Sequence, residues 1–233
     1  MHQVILVFLL IIYPLFSEAK EISYPLNQVE RPLTLPKGIW EVGFEILDMQ
    51  NISPATPPLL LLRYGITDTL EFYPLGLRYR ILNYDNYFEM VVKGRITAIG
   101  SSSVDGTMIY TEFGLEGKQK VHQRLALLYN LEDYYKYTER INTSEIMGAV
   151  GGVFSFTERL SLEVTGMYQK QWRESDTVDG RGFNAIFYFN KSYFWDVAIM
   201  GSWGSFFIGD NYRHFYSKEF YEHNYGIRMN WRF

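Results

Sequence analysis

From Trp40 onward, hydrophobic side chains recur at every second position through most of the chain. Trp40, Val42, Phe44 and Ile46 oppose Glu41, Gly43 and Glu45. Leu77, Tyr79 and Ile81 oppose Arg78 and Arg80, and Phe88, Met90, Val92, Ile96 and Ala98 oppose Glu89, Lys93, Arg95 and Thr97. The same rhythm returns across 109–116, 125–132, 145–156, 160–169, 183–190 and 193–203. It closes with Tyr225, Ile227, Met229, Trp231 and Phe233 against Gly226, Arg228, Asn230 and Arg232. A period of two puts the two sets on opposite faces of a β-strand. None of the apolar faces assigned in this way contains a charge, whereas nearly every opposite face does.

That sidedness decides what the apolar faces meet. A Lys or Arg facing a bilayer midplane costs ~2–4 kcal/mol, whereas water against a soluble sheet exerts no such pressure. The segments are near the ~9–11 residues that a tilted strand needs to cross hydrocarbon. Short breaks fall at Thr67-Asp68 and at 83–86, 121–123, 157–158 and 190–192; longer ones fall at 48–58, 100–106, 134–143, 173–180 and 205–222. Short turns belong to the periplasmic side of an outer-membrane barrel and long loops to the outside. The two sets alternate if the chain enters from the periplasm and if Leu70–Tyr73 and 76–82 are separate strands. Pro74, which cannot donate to a ladder, supports that break. The expectation is an all-β, transmembrane, antiparallel up-and-down barrel over residues 38–233, with twelve strands and both termini periplasmic; ten strands is the fallback.

The first 37 residues do not share the pattern. Val4 to Phe16 is an apolar run of signal-peptide length, too short to span a bilayer as a helix. Ser17-Glu18-Ala19 follows it as a small-x-small cleavage pattern, although the residues before the run lack Lys and Arg. A secretory signal over 1–19 is expected, and with it the outer membrane of a Gram-negative-type bacterium. Residues 20–37, with Pro25, Pro32 and Pro36, read as an extended periplasmic lead-in.

Composition narrows the function classes. Aromatic residues make up 18% of the chain, with 19 Tyr and 17 Phe, enough for girdles at two membrane interfaces. A mean hydropathy of -0.13 excludes a bundle of membrane helices but not a barrel with a polar lumen. There is no cysteine, hence no disulfide framework and no thiolate metal site. A net charge of -4 without a basic stripe argues against nucleic acid. No metal-ligand cluster and no cofactor motif is visible.

The candidate lumen-lining residues are Glu41, Glu45, Arg63, Arg78, Arg80, Glu89, Lys93, Arg95, Glu112, Glu116, Arg124, Glu163, Asp196 and Arg228, joined on the same faces by Glu71, Glu132, Glu145 and Arg232. A strongly selective pore displays a ring of one sign, and this set is mixed. It fits ion pairs that fill a narrow barrel, and it fits a small water-filled channel lined by both signs. For an enzyme, the chain after residue 19 offers His122, His214 and His223. His214 has Asp210 and Ser217 nearby but lacks the close His-x-Ser arrangement and surrounding motifs of outer-membrane hydrolases, so no catalytic residue is assigned.

The terminal pattern Tyr225, Ile227, Met229, Trp231, Phe233 resembles the C-terminal strand of bacterial outer-membrane barrels, which ends in Phe and is read by the barrel-insertion machinery. Arg31-Pro-Leu-Thr-Leu-Pro-Lys-Gly-Ile-Trp-Glu41 and Leu61-Leu-Arg-Tyr-Gly-Ile-Thr-Asp-Thr-Leu-Glu-Phe72 resemble the opening of small barrels in the transporter family of the phenol meta-degradation type. Phe154-Ser-Phe-Thr-Glu-Arg-Leu-Ser-Leu162 echoes the same phrase. The resemblance implies an outer-membrane barrel passing small solutes, hydrophobic ones included, with no catalytic residues. Expected partners are outer-membrane lipid, the insertion machinery and a small-molecule solute. The alternatives are a closed structural or surface-binding barrel using its outer loops, and a hydrolase at the barrel rim.

Overall fold

The computed structural model describes residues 24–47, 59–73, 75–85, 87–102, 106–137, 142–172, 177–205 and 223–233. The expected signal sequence, and nearly all of the 205–222 loop with His214, lie outside them. Twelve strands follow one another: β1 (Trp40–Leu47), β2 (Leu59–Gly65), β3 (Leu70–Tyr73), β4 (Gly76–Tyr84), β5 (Phe88–Ser102), β6 (Gly106–His122), β7 (Leu125–Tyr137), β8 (Asn142–Ser155), β9 (Leu160–Trp172), β10 (Thr177–Asn190), β11 (Trp195–Ser205) and β12 (His223–Arg232). Each is antiparallel to its chain neighbours, and β1 pairs with β12, so the sheet is a closed barrel. The seam is finished by the terminal residue. Trp40 N–H donates to the Phe233 carbonyl at 2.8 Å, and Phe233 N–H donates back to the Trp40 carbonyl at 3.0 Å. The short strand β3 is real: the chain reverses at Leu75 in a left-handed conformation (φ 61) and Glu71 pairs with Arg78. Twelve strands therefore hold and the ten-strand fallback drops out.

Polarity is inverted relative to a soluble protein. Phe113, Val150 and Ile199 are 56%, 62% and 60% exposed, while Glu71 and Asp196 are fully buried (0%). Aromatic rings stack on the outer wall. Trp40 stacks on Tyr64 (centroids 4.4 Å apart) near the short turns, and Phe183 on Trp203 (5.0 Å) toward the opposite end.

Several strands run longer than the alternation implies, with 15 residues in β5, 17 in β6 and 14 in β8. The expected loops 134–143 and 173–180 shrink accordingly. Past the regular apolar band the alternation of apolar and charged positions fades. The backbone ladder still satisfies N–H and C=O groups, and pairing continues. On these extensions the outer face does carry charge. Lys170 pairs with Asp179, Arg181 pairs with Tyr168, and Asp133 lies between Phe113 and Ile146, all on the outward register.

Residues 24–39 form no strand, and they do not extend away from the barrel as the proline-rich sequence suggested. They fold into its mouth at the end with the short turns. Asn27 makes the turn: its carbonyl accepts the Glu30 and Arg31 N–H groups (3.1 and 3.2 Å), and its side-chain Oδ1 accepts Val29 N–H at 2.9 Å. Val29 packs with Ala126 and Val153 on the wall, and Tyr24, Leu35 and Ile39 form a second buried cluster. Gly65 admits the segment where it lies tightest: a Cβ there would stand 2.0 Å from the Pro36 carbonyl oxygen.

Candidate functional site: the stoppered lumen

The interior is organised by one continuous ion-pair network. Starting at the seam, Asp196 on β11 holds Arg232 (2.6 Å), which holds Glu41 (2.6 Å), which holds Arg63 (2.9 Å). Arg63 makes a two-pronged contact with Glu71 (2.6 and 2.8 Å), and Glu71 also accepts from Arg78 at 3.0 Å. Arg78 reaches Glu116, which approaches Lys93 at 3.3 Å. Lys93 then gathers Glu112 (3.0 Å) and Glu132, and Arg95 closes on Glu112 at 2.6 Å. Arg228–Glu45 and Arg80–Glu89 stand apart as separate pairs.

These pairs run along the wall and not across the lumen. Each joins strands that are neighbours or next but one in the barrel order. The longest reach depends on a missing side chain. Lys93, Gly114 and Glu132 are aligned in register on β5, β6 and β7, and a Cβ on Gly114 would stand 2.6 Å from Lys93 Cε. Glycine at 114 thus leaves the corridor through which Lys93 crosses β6. Burial of single charges would be costly; here nearly every charge has an opposite partner with hydrogen-bonding geometry.

The arc β8–β11 differs. Among the described residues no Lys or Arg faces inward from it: Lys170 and Arg181 take the outward register. Apart from Asp196 on β11, which Arg31 and Arg232 hold, its carboxylates accept hydrogen bonds from neutral donors. Tyr188 hydroxyl donates to Glu163 at 3.0 Å and Thr165 hydroxyl at 3.4 Å, and the side-chain amides of Gln169 and Gln171 donate to Glu145.

The N-terminal segment ties both arcs together at the mouth. Leu35 N–H donates to Glu71 at 2.8 Å and Leu33 N–H to Glu89 at 2.9 Å. Arg31 pairs with Asp196 at 2.7 Å, and Lys118 donates to the Gln28 and Arg31 carbonyls at 2.8 and 2.6 Å. Gln28 donates to Asn190 at 3.0 Å, Ser155 hydroxyl donates to Asn27, and the Arg232 guanidinium lies 4.9 Å from the Tyr24 ring centre. The backbone N–H groups of an irregular strap thus find wall carboxylates as acceptors.

Of the lumen candidates, Glu41, Glu45, Arg63, Arg78, Arg80, Glu89, Lys93, Arg95, Glu112, Glu116, Asp196 and Arg228 are brought into these pairs, and Glu163 lies on the β8–β11 arc. Arg124 is not a lumen residue. The chain turns at 123–124, so its side chain has no flanking strand and is exposed, while its carbonyl accepts Ser155 N–H at 2.9 Å. Tyr225, Ile227, Met229, Trp231 and Phe233 follow the outward register of β12, with Tyr225 and Met229 exposed. His122 is exposed at the turn, its Nδ1 accepting Arg124 N–H at 3.3 Å. Arg31, Lys118 and Tyr188 were missed from sequence. Lys118 continues the inward rhythm of Glu112, Gly114 and Glu116, but its outward neighbours Gly117 and Gln119 are not apolar and hide it.

No family model and no curated protein matches the chain. Among solved structures, a loop-deletion mutant of OmpT, an outer membrane protein of Vibrio cholerae, aligns with 10% identity and a TM-score of 0.45, over 84% of this chain and 97% of that one. The KdgM porin in complex with disordered oligogalacturonate aligns with 9% identity and a TM-score of 0.38, over 83% and 98%. The outer membrane channel DcaP of Acinetobacter baumannii aligns with 9% identity and a TM-score of 0.34, over 84% and 95%. These are likenesses between barrels at low identity, and no shared solute follows from them.

Proposed function

We propose that the chain is an outer-membrane barrel that acts as a passive channel for small solutes, with residues 24–39 stoppering its periplasmic mouth. The outward apolar and aromatic wall supports placement in a bilayer. The short-turn end, where both ends of the described chain lie, is then periplasmic, and the outward Tyr225–Phe233 face is what the insertion machinery reads. The observation that carries the channel reading is the course of the ion pairs. They line the wall, and what crosses the mouth is the N-terminal strap. Strand number agrees, because about eight strands leave room only for side chains and about sixteen leave an open channel. Twelve fall between, as a narrow passage would. No catalytic role is assigned to any residue.

Planar-bilayer recording tests this. The full chain should conduct weakly, and deletion of residues 24–37 should raise conductance several-fold in a barrel that still shows heat-modifiable migration. Gly65→Val, which drives a side chain into the Pro36 carbonyl, should do the same. A folded, strap-deleted barrel that passes no ions would end the channel reading in favour of a closed structural barrel.

A further inference from the structure

The seam between the N-terminal strap and the β4–β6 wall encloses a cavity of about 370 Å³, the lower end of the size range of small-molecule sites. Its cationic groups are Lys118, Arg31 and Arg80. Lys118 and Arg31 are only 7% and 6% exposed. The Lys118 ammonium has three protons; two go to the Gln28 and Arg31 carbonyls, and among the described residues no carboxylate is within ion-pair distance of it. Arg31 uses Nη1 on Asp196 and Nε on the Pro25 carbonyl, which leaves its buried Nη2 without an acceptor. The buried Nε of Arg80 also lacks one.

Three carboxylates share the cavity and are engaged elsewhere. Glu30 is held by Lys120, Asp68 accepts Lys37 N–H at 3.0 Å, and Glu89 accepts Arg80 at 3.0 Å and Leu33 N–H at 2.9 Å. The remaining lining is hydrocarbon from Val29, Pro25, Pro32 and Pro36. One side of the cavity thus offers the third proton and the charge of Lys118, and the other offers an apolar surface.

We propose that this cavity binds a small organic carboxylate. Its carboxylate takes the third proton and the charge of Lys118 Nζ, and its short carbon body rests on Val29 and the prolines. An inorganic oxyanion would satisfy the donors and leave the apolar side uncovered; a neutral alcohol would leave Lys118 uncompensated. The site requires the strap to be seated but not the barrel to conduct, so it goes beyond the channel reading and can fail separately from it.

The test is calorimetric titration of butyrate, inorganic phosphate and 1-butanol into the full chain folded in detergent at low salt. Butyrate should bind saturably at one site, with phosphate and butanol at least ~10-fold weaker. Lys118→Gln should weaken butyrate by a similar factor, and Lys191→Gln, on an exposed turn, should leave it unchanged. Absence of saturable butyrate binding, phosphate binding as tightly as butyrate, or indifference to Lys118→Gln would each overturn the proposal. If Lys118→Gln does not fold, the nuclear Overhauser contact between the butyrate methyl and the Val29 methyls in the unaltered chain decides. Its presence supports the site, and its absence at saturating butyrate removes it.

Discussion

The two arcs of the barrel solve the same problem with different chemistry. From β12 round to β7 the inward carboxylates are neutralised by arginine and lysine in a network that touches almost every strand. From β8 to β11 no inward base is present among the described residues, and Glu163 is held by the hydroxyls of Tyr188 and Thr165. The first arc is close to electrically neutral and stiff. In the second, Asp196 joins the arginines at the seam, while Glu163 is held by hydrogen bonds from neutral groups. On the proposed channel reading, a solute would meet a zwitterionic wall on one side and an acidic, amide-rich wall on the other, which predicts a preference for cations over anions near β9.

The contrast can be broken most severely at its busiest node. Lys93→Met removes the cation shared by Glu112, Glu116 and Glu132 and should cost ~3–5 kcal/mol, the range for stripping one partner from a buried pair. Urea unfolding in lipid vesicles would measure it, and a loss no larger than that of an exposed Lys191→Met would show that the network does not hold the arc. Gly114→Val leaves every charge in place but fills the corridor of Lys93. A loss of ~1–3 kcal/mol in the same assay is expected for such overpacking.

On the other arc, Glu163→Gln should change stability by less than ~1 kcal/mol, because its partners are neutral and the amide can keep one of them. Its signature is electrical: under a salt gradient the reversal potential should move toward the anion side. The smallest effect is salt itself. Raising it from ~0.1 M to ~1 M shortens the screening length from ~10 Å to ~3 Å and should shrink the wild-type cation preference without unfolding the barrel. A preference that survives ~1 M salt would place its origin in steric fit and not in Glu163.

How much of this was legible in the sequence depends on which physical constraint wrote each part. Hydrocarbon on one side forces alternation, so Trp40–Ile46 or Phe88–Val92 can be read directly, and Pro74 marks the break between β3 and β4. Strand ends are illegible where hydrocarbon stops. The ladder carries β6 from Gly106 to His122 and β8 back to Asn142, with polar residues on both faces. The strap left no periodic trace because its contacts are made by backbone N–H groups, which every residue possesses, and by prolines that fit a mouth formed 30 or more residues later in the chain. Arg124 was misplaced because alternation alone does not mark where a strand stops and a turn begins.

The reciprocal hydrogen bonds between Trp40 and Phe233 have a bearing on how the molecule is made. β1 finds its second partner in β12, with ten strands between them in the chain, so one rim of the sheet stays unsaturated until β12 docks. Such a rim invites annealing with any stray chain, and the loop that must be closed is the longest the barrel contains. A folding copy is accordingly open to such pairing along β1 until β12 docks and the hoop locks.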